Sequence, residues 1–117
     1  VKLIKAFVRS RRIDEVVRAL ETARAPGITV SRVHGVGYGY EASQFTLAPN
    51  QVSRTPEVAK VEVVCCDPDA DRLVDVVVVA ARTGDRGDGI VFVTPVERAI
   101  RIRSSEENEK ALCANGY

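Results

Sequence analysis

The stretch Thr83-Gly84-Asp85-Arg86-Gly87-Asp88-Gly89 holds the residue types from which an anion cradle is built. Its three glycines permit positive φ and close backbone approach, so consecutive amides can turn toward one negatively charged group. Further on, Arg101 and Arg103 flank Ile102. On a strand, that alternation sets two guanidinium forks on one face, and such forks match phosphate oxygens in pairs. A tight helix-to-strand turn followed by a solvated strand edge would use the same residues with no ligand. On these residues alone the ligand-free reading is preferred.

Other reactive side chains are sparse. His34 is the only histidine, so a mechanism or metal site needing two imidazoles is excluded. It could titrate near neutrality, but a polar side chain at a strand end is the preferred reading. Cys65 and Cys66 could ligate a metal only with distant partners, and as adjacent small residues closing a strand they need no metal. Cys113 falls near the end of the sequence and reads as an inert thiol rather than a redox switch. Three cysteines, an odd number with two adjacent, give neither a disulfide framework nor a zinc spacing, and a reducing cytoplasm is the expected location. No Ser-His-Asp order, paired-acid motif or Walker A sequence occurs, so no catalytic residue and no metal ligand is assigned.

Composition narrows the partners. Lys and Arg total 17 against 16 Asp and Glu, a net charge of +1, which argues against a broad surface for nucleic acid or acidic lipid. The longest apolar run, Val76 to Ala81, is far too short to span a bilayer. With 117 residues, 45% hydrophobic, the chain suits one domain, residues 1–117, whose small core leaves apolar surface for a partner subunit to cover.

The elements that must position these groups follow from periodicity. Residues 2–9 alternate as a strand, and Ile13, Val16, Val17, Leu20 and Ala23 recur at helical spacing up to Pro26-Gly27. A second strand is expected over Ile28 to Val36 and a third over Val58 to Cys66. Between them, residues 37–56 carry few periodic apolar positions and read as one long loop, a length usually reserved for function. Asp67-Pro68-Asp69 starts a helix, with Asp67 as the N-cap acceptor. The run Val76-Val77-Val78-Val79 favours a strand by type, yet Ala70, Leu73, Val74, Val77 and Ala81 trace one helical face, and spacing with capping decides for a helix ending at Gly84. A fourth strand is expected over Ile90 to Val93, a short extra one over Ala99 to Arg103, and a flexible tail over 104–117. The order β-α-β-β-α-β predicts an α+β, ferredoxin-like sandwich, two helices on one face of an antiparallel sheet.

In that order and spacing, several motifs resemble the PII signal-transduction family. Lys2-Leu3-Ile4, Ile13-Asp14-Glu15-Val16 and Ile28-Thr29-Val30 resemble its first strand, helix and second strand. Gly35-Val36-Gly37 resembles its Gly-Phe-Gly entry to the T-loop, and Lys60-Val61-Glu62-Val63-Val64 its third strand. Ala81-Arg82-Thr83-Gly84, Gly87-Asp88-Gly89, Val91-Phe92-Val93 and Arg101-Ile102-Arg103 resemble its B-loop and C-terminal signature.

The resemblance implies a homotrimer that binds adenine nucleotides, ATP, ADP or AMP, between subunits as regulatory ligands, with no required cofactor. Carried over by position, Gly87, Asp88, Gly89, Arg101 and Arg103 would handle phosphates, the arginines reaching across from a neighbouring chain. Thr29, Gly35, Val36, Gly37, Glu62 and Val64 would line base and ribose. The T-loop, about 37–56, would contact a target protein, a transporter or an enzyme.

Departures from the family pattern carry their own expectations. Gly39 and Val58 stand where relatives that sense 2-oxoglutarate carry Gln and Lys, and Ile90 stands where a Lys usually follows Gly-Asp-Gly. Binding of 2-oxoglutarate should be poor, and ADP or AMP should compete well with ATP. Gln51 and Pro49 replace the residues that relatives modify by uridylylation and phosphorylation. These differences resemble PII-like branches outside nitrogen control, including those tied to carboxysomes and bicarbonate transport. The alternatives are a nitrogen-regulatory PII protein, a metal-responsive trimer using Cys65, Cys66 or His34, and a small enzyme acting on a phosphate ester with Asp85 or Asp88 as base.

Overall fold

A computed structural model describes residues 1–36 and 57–112. The expected T-loop, with Gly37, Gly39, Pro49 and Gln51, and also Cys113, lies outside the described residues. Strand β1 (Lys2–Arg9) passes through a short 3-10 turn into helix α1 (Ile13–Thr22), and β2 (Thr29–His34) and β3 (Glu57–Cys65) follow. Helix α2 (Asp67–Ala81) and strand β4 (Gly89–Pro95) complete the sandwich, and a 3-10 helix spans Asn108–Leu112. The sheet runs β2-β3-β1-β4 with every neighbouring pair antiparallel. This is the ferredoxin-like arrangement that the periodicity predicts.

Alternation in the strands divides the sheet into two faces. Ile4, Ala6 and Val8 of β1 pair across from Val63, Val61 and Ala59 of β3, and all six are buried against the helices. Val16 and Leu20 of α1 and Leu73 and Val77 of α2 close that layer with no exposed surface. Truncating a leucine there, Leu20 or Leu73, would remove about 2–5 kcal/mol. The valine run settles as helix because Leu73, Val77 and Ala81 recur on the buried side while Val79 takes the outer side, 73% exposed. Tertiary burial outweighs the strand preference of valine, which is worth only a few tenths of a kcal/mol per residue.

The opposite face carries Leu3, Lys5 and Phe7 of β1, Lys60, Glu62 and Val64 of β3, and Ile90, Phe92 and Thr94 of β4. Phe7 and Phe92 meet edge to face with ring centroids 6.4 Å apart. Ile90 and Phe92 stay exposed, while residues 99–112 approach the Leu3, Glu62 and Val64 end of this face.

Four local expectations are corrected. Asp67 is the first residue of α2, not its N-cap; Cys66 holds the cap position in extended conformation, and Asp67 Oδ1 accepts instead from the amino group of Val1 at 2.6 Å. The helix stops at Ala81, with Arg82 already extended, before Gly84 is reached. No strand forms over 99–103: Ile100 makes an isolated bridge to Glu107, and residues 102–104 turn. Positive φ at Ser105 and Asn108 folds the chain back there. Residues 104–112, expected as tail, are therefore built into the fold, with Ala111 buried.

Candidate functional site

Helix α2 delivers the chain into the glycine loop, and the loop is tied down at both ends. Arg12 donates from Nε and Nη2 to the Ala80 carbonyl at 3.1 and 2.7 Å, satisfying a carbonyl that the last helical turn leaves open. Gly84, Gly87 and Gly89 all take positive φ. At the centre stands Asp88. Its Oδ2 accepts the Thr83 and Gly84 amides at 2.8 and 2.9 Å, and its Oδ1 accepts the Thr83 hydroxyl and, at 3.0 Å, Arg9 Nε. The Thr83 hydroxyl and amide, then Gly84 and Arg9, hold the Asp88 carboxyl far below the usual carboxylate range.

Asp88 thus spends its acceptors on its own loop and on Arg9, which leaves the backbone amides beyond Asp85 as the groups that could meet an anion. It is also a poor base, because it gives up these donors on protonation. Arg9 was not singled out by sequence as part of a site, and Thr83 only as the opening residue of the glycine stretch. The Arg9 contact spans 79 positions of chain and depends on the β1–β4 register.

A second concavity of about 610 Å³ lies at the far end of the sheet, with Thr29, Glu62, Val64, Ile100, Arg101 and Leu112 in its lining. Arg101 is buried, and its Nε and Nη2 donate to the Ala111 carbonyl at 3.3 and 3.0 Å. Its backbone amide donates to the Glu106 carbonyl and its carbonyl accepts from Ser105, so this arginine is the keystone of the C-terminal fold-back. Arg103 is exposed in the turn. The expected pair of forks on one strand face is corrected, since the turn separates the two side chains into different environments.

Register fixes the distance between these regions. Gly89 pairs across from Val8 and Val64 from Leu3, so they stand at opposite ends of β1. Five residues of strand correspond to roughly 17 Å. Gly35 follows His34, which pairs with Glu57, and with Val36 lies at the glycine-loop end. Thr29, Glu62, Val64 and Arg101 therefore gather at one end, and Gly35, Val36, Gly87, Asp88 and Gly89 at the other. One chain does not bring them together.

The whole layout has relatives. The family model described as nitrogen regulatory protein P-II matches residues 1–106. The chain is 40% identical to the nitrogen regulatory protein P-II of Nostoc punctiforme over 118 residues, covering 96% of this chain and all of the relative. It is 36% identical to that of Synechocystis, with the same coverage, and 35% identical to the nitrogen regulatory protein P-II 2 of Methanothermobacter thermautotrophicus, covering 96% of this chain and 97% of the relative. This chain belongs to the P-II family.

In this P-II protein the Cys65 thiol and the His34 imidazole are kept apart. His34 and Cys65 lie eight ladder positions from one another along β3, roughly 26 Å of strand. Cys65 is fully buried, and burial pushes its thiol pKa up, which disfavours the thiolate that a metal needs. Among the described residues no three His, Cys, Asp or Glu side chains are placed to hold a metal ion, and no helix is long and apolar enough to cross a membrane.

Proposed function

We propose that this P-II family member is a regulatory, non-enzymatic protein that binds an adenine nucleotide in a cleft completed by a second copy of the chain, within a homotrimer. The observation that carries the reading is the separation of the two half-sites, roughly 17 Å of strand between Gly89 and Val64. A loop of amides at one end and a cleft with Thr29, Glu62, Val64 and Arg101 at the other serve one ligand only if neighbouring copies meet end to end. The exposed Ile90 and Phe92, with Phe7 beside them, supply apolar surface for that meeting. In this arrangement Gly87 and Gly89 present amides to phosphates, Arg103 of a neighbouring copy adds its fork, and residues 37–56 meet the target protein.

The setting follows from two different observations. The relatives are named for nitrogen regulation, which supports that pathway. Gly39, Val58 and Ile90 support a regulator that reads the adenylate state without 2-oxoglutarate, and the inorganic-carbon setting has those departures alone behind it. The cytoplasm, where adenine nucleotides are plentiful, is the fitting location. The metal-responsive alternative loses support from the distance between His34 and Cys65, and the enzymatic one from the engagement of Asp88.

Complementation tests the shared site. A variant damaged at the loop end (Gly87→Val) and one damaged at the cleft end (Arg103→Ala) are each expected to bind ADP weakly by calorimetry. Unfolded together and refolded as mixed oligomers, they should recover strong sites in a fraction of the clefts. Recovery of none, or full ADP binding by a monomer, would refute the reading.

A further inference from the structure

The glycine loop is braced from outside by the segment between β1 and α1. Arg12 holds the end of α2 through the Ala80 carbonyl. Arg9, with its side chain 13% exposed, reaches the loop itself: Nε donates to Asp88 Oδ1 and Nη2 to the Arg86 carbonyl. Its guanidinium also lies beside Gly87, where a Cβ would stand 3.3 Å from Nη2 and 3.6 Å from Cζ. One planar cation thus touches three successive-turn positions, 86, 87 and 88.

We propose that Arg9 is a positioning residue for the anion loop, fixing its shape through Asp88 and the Arg86 carbonyl and cancelling the Asp88 charge that an incoming phosphate would otherwise meet. This rests on the reading of the loop as the phosphate end of the nucleotide site. The chemistry favours arginine. A fork with donors on one plane satisfies the carboxylate and the carbonyl together, which the single point charge of a lysine cannot do. Ile90, next to Gly89, adds no cation of its own. Without Arg9, the Asp88 carboxylate would keep only the neutral donors of Thr83 and Gly84, its charge would lose that cation one residue from the glycine amides, and like charges at that range oppose anion binding.

Two measurements on the assembled protein test it. The first is amide hydrogen exchange at Thr83 and Gly84, whose acceptor is Asp88. In Arg9→Ala these amides should exchange about ten-fold faster, with Arg9→Lys in between, while amides in the core strand at Ala6 stay unchanged. The second is calorimetry with ADP and with adenosine. ADP affinity should fall about ten- to hundred-fold in Arg9→Ala, the range for a lost charge-assisted hydrogen bond, and adenosine, which has no phosphate, should bind as to the parent protein. Should Arg9→Ala not fold, Arg9→Gln keeps a donor for the carbonyl and loses the charge, and the same two readouts apply. Unchanged exchange at Thr83 and Gly84, or equal weakening of ADP and adenosine, would overturn the proposal. If the parent protein binds no ADP, the nucleotide reading fails, and the exchange comparison still decides whether Arg9 shapes the loop.

Discussion

The carbonyl oxygen of Phe7 stands 1.8 Å from where a Cβ on Gly89 would lie. Gly89 opens β4 at φ +114, so its hydrogen faces the β1 backbone with no room for any side chain. The third glycine of the loop is therefore demanded by strand packing, whether or not a ligand binds. Gly89→Ala must displace the start of β4 or the end of β1 and adopt a φ that costs an L-residue about 1–3 kcal/mol before the clash is counted. Gly84→Ala, whose Cβ would meet nothing within 4 Å at φ +95, carries the φ cost alone. Urea denaturation should rank Gly89→Ala clearly below Gly84→Ala; equal midpoints would contradict the close approach.

The two arginines of the C-terminal signature should separate in their effects. Arg103 is exposed in its turn and free of the core, so Arg103→Ala should weaken ADP binding about ten- to hundred-fold with no change in stability. Arg101 is buried on the Ala111 carbonyl, and Arg101→Ala should lower ADP affinity and also destabilise the C-terminal fold-back by about 1–3 kcal/mol. Exposed Arg18 on α1 serves as the control for calorimetry and for thermal denaturation. A stable Arg101→Ala protein with only its ADP affinity reduced would show that the Ala111 contact carries no weight.

Ligand choice should follow the two missing cations and the missing amide. With Ile90 beside the loop and with Gly39 and Val58 in place of Gln and Lys, ATP should hold no large advantage over ADP, and 2-oxoglutarate should produce no heat of binding in the presence of Mg-ATP. Ile90→Lys places an ammonium where Ile90 is now 53% exposed, and should shift the ATP-to-ADP affinity ratio upward about five- to ten-fold, roughly 1 kcal/mol. A clear 2-oxoglutarate heat in the parent protein, or no shift in Ile90→Lys, would count against this account.

What the sequence showed and hid follows from range. Val16 and Leu20, or Leu73, Val77 and Ala81, announce their helices because the periodicity is local and burial follows it. The order of elements then gives the fold. The glycines of the loop were legible for the same reason, as residues whose type is itself a backbone statement. Arg101 was misplaced on a strand because the turn behind it uses Ser105 and Asn108 at positive φ, where no glycine marks the reversal. Arg9 was passed over because its partners, Arg86 and Asp88, become neighbours only once β1 and β4 pair. Asp88 itself was read as a ligand contact because its four donors come from a loop geometry and a distant strand that spacing alone does not fix.

The depressed pKa of Asp88 has a sign that acid titration can read. Its carboxylate is held by the Thr83 hydroxyl and amide first, then by Gly84 and Arg9, and its folded pKa lies below the ordinary carboxylate value of 3.8. A group with a lower pKa in the folded state binds fewer protons there than in the unfolded chain. Its contribution is therefore complete above pH 3.8 and is lost as pH falls from there toward the folded pKa. Asp67 is lowered as well, through its bond to the Val1 amino group, so the parent slope contains both acids and the comparison must be made by difference. Asp88→Asn keeps the Asp67 share and removes the other. In urea titrations from about pH 6 down to about pH 2, the parent should lose its lead over Asp88→Asn progressively below about pH 4, with the two curves running parallel above it. Parallel curves across the whole range would show that Asp88 does not anchor the loop as a carboxylate.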